Sequence, residues 1–317
     1  YFCTMRFFPE SALTQLEYEK VKTLLAVYCR TDYSKTKAAN LRLHTKKEFI
    51  ELELQQTNEF KLLTLSGQYF PNDFILNLHK ELKLLGIPGA VLAGEQFLQI
   101  RKLAENANNI FRWFDAERRI AYPAITKVVN NTYYEKTINE LINDILDDSG
   151  SVKDSASETL ASIRLSLYKK RHELRRVFDR IVSKLNKQGI LADIEESFMN
   201  GRRVLAVFAE QKRMIKGILH SESDSRKTAF IEPEETTQLN NDIFSLENEE
   251  QKEVYKILRK LTQQLSMYAP LLKTYHDIAG EFDFIYAKAK FAIEVGGNYP
   301  QIYDKAHIHL IQAYHPL

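Results

Sequence analysis

Seven cations crowd the stretch between Gly201 and Lys227: Arg202, Arg203, Lys212, Arg213, Lys216, Arg226 and Lys227, against three acids, Glu210, Glu222 and Asp224. The chemistry open to such a set is electrostatic contact with phosphates. Each neutralised phosphate releases counterions, so binding of this kind depends on salt and is largely blind to sequence. A second reading is a solvated rim, since Lys and Arg keep exposed edge strands from pairing with other molecules. On the residues alone the rim reading is the stronger. If the stretch is β-structure, alternation sends some of the seven to opposite faces, and not all can touch one ligand.

Other chemistry is sparse. The sequence holds no G-x-x-x-x-G-K-[ST] loop, no G-x-G-x-x-G, no H-E-x-x-H and no C-x-x-C, so this stretch is not expected to be an enzyme. His307, His309 and His315 could suggest a metal, but His-x-His on a strand more often marks a polar face, and no metal site is expected. His276, Asp277, Glu281 and Asp283 spread around a helix instead of gathering on one side.

The cationic stretch reads as β-structure. Asn200-Gly201 suits a two-residue hairpin turn, whose central residues both need φ > 0. Ile190–Met199, Val204–Ala209, Met214–His220 and Thr228–Glu232 are short runs rich in β-branched and aromatic residues. Two long amphipathic patterns flank it. In the first, Leu160, Ile163, Leu167, Leu174, Val177, Ile181 and Leu185 form a heptad-like seam between Ser155 and Lys187. In the second the seam is Leu239, Ile243, Leu246, Val254, Ile257, Leu261 and Leu265. Their charges oppose. Arg164 to Lys187 carries nine Lys/Arg against Glu173 and Asp179; Glu232 to Glu253 carries eight acids against Lys252. The simplest arrangement is an antiparallel pair of arms, each roughly 45–50 Å long at about 1.5 Å per residue, with the sheet at the far end. The opposite charges are expected to pair and fix alignment instead of tracking a ligand.

The remainder of the chain reads as helical. Leu13–Cys29, a helix opening at Ser34, a capping box at Thr45-Lys46-Lys47-Glu48, a helix from Phe70 to Gly86, a long one over Gly94–Arg118, shorter pieces at Ala124–Val129 and Glu135–Leu146, and a broad apolar helix over Leu271–Val295 are expected. The alternation in Ile302–Ala313 predicts a strand that begins something further, so the sequence reads as a truncated piece or one module of a longer chain. At 317 residues, 44% apolar and 27% charged, the composition is that of a globular protein of up to two domains. Only two cysteines, Cys3 and Cys29, and no run long enough to span a bilayer point to a reduced, cytoplasmic protein.

The ordered series Gly201-Arg202-Arg203-Val204, Ala209-Glu210-Gln211-Lys212, Ile215-Lys216-Gly217-Ile218-Leu219-His220, Phe230-Ile231-Glu232-Pro233 and Leu239-Asn240-Asn241 resembles the MutS family. It is most similar to the second branch, which lacks the mismatch-reading domain and is associated with suppressing recombination and rescuing stalled ribosomes. Asp147–Ser157 resembles the lead into that family's lever helix, Glu281–Ala289 its return helix, and His315-Pro316-Leu317 the entry to its ATPase domain. One departure stands out: Ser221–Lys227 carries Arg226-Lys227 where that branch usually has small residues with a Gly.

The resemblance implies a mainly α fold: a helical core over 1–150, lever helices over 151–189 and 234–270, an antiparallel β clamp over 190–233, a return helix over 271–300 and the start of an ATPase domain from 301. It implies a nucleic-acid-binding module whose seven clamp cations meet phosphates. No cofactor is expected in this stretch; ATP and Mg would belong to an ATPase domain beyond Leu317. The expected partner is duplex or branched DNA, with no membrane and with a homodimer for the longer protein. The alternative is a helical-hairpin module that docks on a protein partner or on RNA, for example on stalled ribosomes.

Overall fold

A computed structural model describes residues 11–41, 43–304 and 307–317, with the backbone alone at 193–195. Cys3, half of the cysteine pair noted above, lies outside the described residues. The protein is mainly helical, with one small antiparallel sheet. The chain divides into two units, one comprising residues 1–143, 148–150 and 261–317, the other 144–147 and 151–260.

The first unit is built from helices α1 (Ala12–Gln15), α2 (Tyr18–Val27), α3 (Asp32–Ala39), α4 (Lys47–Leu65), α5 (His79–Leu85), α6 (Gly94–Trp113), α7 (Ala116–Ala121), α8 (Pro123–Thr126) and most of α9 (Thr137–Ile145). The helix α12 (Ala269–Glu294) runs through its middle and packs on α2, α3, α4, α5 and α6. The sequence explains that position. Leu272, Tyr275, Ile278, Phe282, Ile285 and Ala289 repeat at steps of three and four, and Phe284 and Ala287 extend the apolar surface around the helix. One side meets Phe60, Leu63, Ile110, Trp113 and Phe114; the other meets Leu25, Cys29 and Ala38. Phe70 sits edge-on to Phe60 and Trp113 at 5.1 and 5.0 Å.

Asp283 of α12 is fully buried and takes its charge into that core. It accepts hydrogen bonds from the backbone N–H groups of Arg30 (2.9 Å) and Thr31 (2.8 Å), from the Thr31 and Ser34 hydroxyls and from the Arg30 guanidinium at 2.9 Å. Burial alone would raise its pKa; these donors outweigh it and hold the carboxyl below the ordinary aspartate value. Asp283 thereby secures the entry to α3, whose N-cap Thr31 also receives the Ser34 N–H at 3.1 Å.

Several expectations need correction in this unit. Phe70–Leu78 is not helical, and the helix is limited to α5. The backbone donors of Asp73 and Phe74 are taken by the buried Asn106 side chain at 3.0 and 3.2 Å, and Asn72 turns inward to Ala279 at 2.9 Å, so tertiary partners replace the helical ladder. The capping box at Thr45 does not form. The cap is Lys46, in extended conformation and without a side-chain bond, while Lys47 is tied to Asp304 at 2.8 Å. The long helix from Gly94 stops at Trp113, and Asp115 caps a separate α7 by accepting the Arg118 N–H at 2.8 Å. The alternation over Ile302–Ala313 gives no strand among the described residues, where no neighbouring strand accepts its hydrogen bonds.

The second unit holds α10 (Glu158–Asn186), strands β1 (Leu191–Met199), β2 (Arg202–Phe208), β3 (Gly217–Glu222) and β4 (Thr228–Pro233), and most of α11 (Glu234–Ser266). Ser157 caps α10, accepting the Leu160 N–H at 3.2 Å while its hydroxyl donates to Glu253 of α11 at 2.9 Å. Leu167 and Leu174 share a buried cluster with Leu239 and Ile243. Arg164 meets Glu250 at 2.7 Å, and Lys170 meets Asp242 at 2.8 Å. Rising numbers on α10 therefore meet falling numbers on α11, and the two run in opposite directions.

The sheet has the order β1-β2-β4-β3, with each neighbouring pair antiparallel. The turn between β1 and β2 is Asn200-Gly201, with φ of 51° and 78°, the double left-handed turn that the dipeptide predicts. Leu205, Val207, Ala229 and Ile231 pack with Phe178, Ile181 and Leu185 at the end of α10. Phe178 fills that junction beside Val177, which the sequence places in the seam and which is only partly buried.

Candidate nucleic-acid interface

The seven sheet cations fall into two groups. Arg202 and Arg203 are consecutive on β2, so their side chains leave opposite faces of the strand. Each finds a different helix. The Arg202 guanidinium donates to Glu232 at 2.8 Å and to Asn241 of α11. Arg203 lies with its guanidinium carbon 4.6 Å from the ring centroid of Phe178 on α10, donates to Glu196 at 2.8 Å and stands 3.6 Å from Asp179. Only 13% of the Arg203 side chain is exposed. Both arginines hold the sheet to its helices.

Glu232 is the hub of the first of these contacts. Its carboxylate is fully buried and accepts from Arg202, from Asn240 of α11 at 2.9 Å and from His220 of β3, whose Nε2 lies at 2.7 Å. Burial would push its pKa up; the bonds from Asn240, His220 and Arg202 prevail and hold it below the ordinary value. The backbone beside it is equally tight. Gly217 lies against the Glu232 carbonyl so closely that a Cβ there would stand 2.1 Å from the oxygen.

The remaining cations lie in the segments entering and leaving β3. Lys212, in the short 3-10 turn between β2 and β3, pairs with Glu222 at 2.5 Å. Arg213, Lys216, Arg226 and Lys227 are exposed and make no ion pair among the described residues. They form two pairs, Arg213 and Lys216 before the strand, Arg226 and Lys227 after it. At about 3.3 Å per residue, β3 separates the pairs by roughly 20 Å. The second pair is held in place by the turn that carries it. The Ser223 N–H donates to the Thr228 carbonyl at 2.8 Å, and Arg226 adopts a left-handed φ of 56°.

No family model matches this sequence. Individual relatives do. A protein named endonuclease MutS2 from Aquifex aeolicus is 30% identical over 97% of this chain and 40% of its own length. MutS2 of a Geobacillus strain is 30% identical over 95% of the chain, and MutS2 of Clostridium kluyveri 28% over 97%. The chain is homologous to the MutS2 proteins. It spans about 40% of the length of the MutS2 relatives it matches, and their name describes those whole proteins.

The MutS2 likeness runs through both units, and the resemblance drawn from the β-rich segment is shown by it. The side-chain partners that sequence reasoning did not assign are Glu232, Glu196, His220, Asn240, Asn241, Phe178 and Asp179, all partners of the two consecutive arginines or of their acids. One signal was present: an acid inside the apolar Phe230-Ile231-Glu232-Pro233 strand is buried only at a cost unless a cation meets it. Among the described residues no group of His, Cys, Asp and Glu is placed to hold a metal ion. Among them, too, no helix is long and apolar enough to cross a membrane.

Proposed function

We propose that this chain binds nucleic acid through the outer edge of its sheet, as the clamp at the end of a pair of lever helices in a MutS2-like protein. The observation that carries the reading is the state of Arg213, Lys216, Arg226 and Lys227: four exposed cations, without ion-pair partners among the described residues, flank one edge strand. Arg202, Arg203 and Lys212 serve as supports, since each already has a carboxylate. Contacts of this kind fall on phosphates and carry little base information. The homology supports a role in DNA repair or in suppressing recombination. In the longer protein ATP and Mg would act in a separate ATPase domain, the lever helices would transmit its state, and a homodimer would bring two clamps around one ligand.

The test is titration of labelled duplex, branched DNA and structured RNA across several salt concentrations, with Arg213, Lys216, Arg226 and Lys227 changed together to Gln. Loss of about four phosphate contacts lowers the log–log salt slope by about 3.6 for duplex, at about 0.9 per phosphate. Undetectable binding by the unaltered chain at low salt, or an unchanged slope in the variant, defeats the reading.

A second reading has its own support. Phe198, Met214, Ile218 and Leu219 of the sheet and its connections are 67%, 70%, 49% and 47% exposed. Apolar side chains beside exposed cations also fit docking on a ribosomal surface, where protein and RNA are both present. In that case changing Met214 and Ile218 to Ser lowers affinity for ribosomes and leaves affinity for free duplex unchanged.

A further inference from the structure

Nine cations lie on and just after α10 and seven acids lie on α11 between Glu234 and Glu253, and extensive pairing between them would leave little charge for a ligand. The structure divides them differently. Arg164, Lys170 and Arg171 reach Glu250, Asp242 and Glu247 of α11 at 2.7, 2.8 and 2.6 Å. Arg175 stands 4.0 Å from Asp179 on its own helix. Lys169, Arg176, Arg180, Lys184 and Lys187 are all exposed and make no ion pair among the described residues.

These five share one face. Their steps are seven, four, four and three residues, which at about 3.6 residues per turn keeps Lys169, Arg176, Arg180 and Lys187 within about 40° of one another and Lys184 close beside them. The buried positions Leu167, Leu174, Phe178, Ile181 and Leu185 lie on the opposite side of the helix, against α11 and the sheet. At about 1.5 Å per residue the row is roughly 27 Å long. One acid, Glu173, lies within it, four residues after Lys169 and three before Arg176, and the net charge of the row is carried by the other five. Holding five like charges on one helix face disfavours the isolated fold through self-repulsion, and an external polyanion relieves it.

We infer that the outer face of α10 is a second nucleic-acid contact, a rigid row of five cations that lies along a phosphate backbone. The inference rests on the proposed nucleic-acid function and extends it beyond the sheet. A phosphate backbone fits the row better than a folded acidic partner does. Double-stranded DNA carries one charge per about 1.7 Å of axis, both strands counted, so a row of roughly 27 Å runs beside a dense array of phosphates without needing a particular base sequence. Between Lys169 and Lys187 the row itself contains no apolar side chain that would anchor a protein partner.

The experiment compares the full chain with two variants: Lys169, Arg176, Arg180, Lys184 and Lys187 all changed to Gln, and Arg213, Lys216, Arg226 and Lys227 all changed to Gln. Affinity for a labelled duplex of about 25 base pairs is measured from about 50 to 200 mM salt, with poly-glutamate as competitor. The five altered side chains are exposed, and circular dichroism and thermal melting verify that the variant is folded. The row variant is expected to bind at least about 30-fold more weakly at the lowest salt, with a slope lowered by about 3–4.5. Unchanged affinity and slope in the row variant overturns this inference alone, leaving the sheet edge as the binding site if its own variant fails to bind. Poly-glutamate displacing the duplex at equal charge concentration overturns it in favour of an acidic protein partner. No binding of duplex by the unaltered chain overturns both this inference and the function on which it rests.

Discussion

The guanidinium of Arg203 lies over Phe178, its carbon 4.6 Å from the ring centroid, while its nitrogens reach Glu196 of the neighbouring strand. One side chain thus joins the sheet to the end of α10 by cation–π contact and by charge together. Arg203→Ala removes both and is expected to destabilise the protein by about 1–2 kcal/mol. Arg203→Lys recovers less than half of that, because an ammonium neither stacks flat nor forks. Urea unfolding measures both changes. A fall in the salt slope of duplex binding, with stability unchanged, would instead make Arg203 a phosphate contact.

Glu232 and Asp283 are fully buried carboxylates, each held below its ordinary pKa by its donors. A depressed carboxyl contributes stability that is complete above its unfolded value and drains away as pH falls through the folded one. For Glu232 the loss begins near the ordinary value of 4.5, for Asp283 near 3.8. Acid titration of folding stability is expected to show a first loss as pH falls below about 6.5, where burial holds the His276 pKa down, and a further fall below about 5 as these two carboxylates protonate. Glu232→Gln lowers stability at neutral pH by about 2–3 kcal/mol, since Arg202 loses its buried counter-charge, and it flattens the decline in acid. A decline of unaltered steepness in that variant contradicts the assignment.

Gly280, within the central helix α12, faces the Tyr33 ring so closely that an added Cβ would stand 2.4 Å from two ring carbons. Gly280→Ala is expected to cost about 1–3 kcal/mol through overpacking, against the small gain that alanine otherwise brings to a helix. Adding Tyr33→Ala removes the two ring carbons and leaves only the Tyr33 Cβ position, at 2.7 Å, so the double variant is more stable than additivity predicts. Thermal melting of the four proteins of this cycle gives the coupling.

Gly201 has open space around it, but its φ is 78°. Gly201→Val meets no neighbour and is still expected to lose about 1–2 kcal/mol, because a β-branched residue resists the left-handed region. Equal stability of the variant and the parent, measured by urea unfolding, would show that the turn relaxes to another form.

Features set by neighbouring residues were legible in the sequence. Asn200-Gly201 announces its turn, and the leucines of α10 and α11 announce their seam, since each depends on residues within one or two helical turns. What was not legible depends on partners far along the chain. In the sequence Arg202 and Arg226 look alike, each beside a second cation, yet one meets Glu232 thirty positions away and the other stands exposed. Val177 and Phe178 both fit alternating steps of three and four between Leu174 and Ile181; Arg203 over the ring marks Phe178 as the buried one. Phe70–Leu78 has the composition of a helix start, but Asn106, on another helix, takes the backbone donors that a helix would use.

Val204, Leu205, Ala206 and Val207 are all fully buried, so both sides of β2 are apolar and covered. In most half-buried strands a slip by one residue is punished because it drives the apolar face into water. Here a slip exchanges one buried apolar side chain for another and carries little such penalty. The correct alignment must be written elsewhere, in the left-handed pair at Asn200-Gly201 and in two arginines that find Glu232 and Glu196 from only one setting of the strand. Arg202 and Arg203 act as the two teeth of a key, and removing both would leave a strand that still pairs but has lost its sense of where to stop.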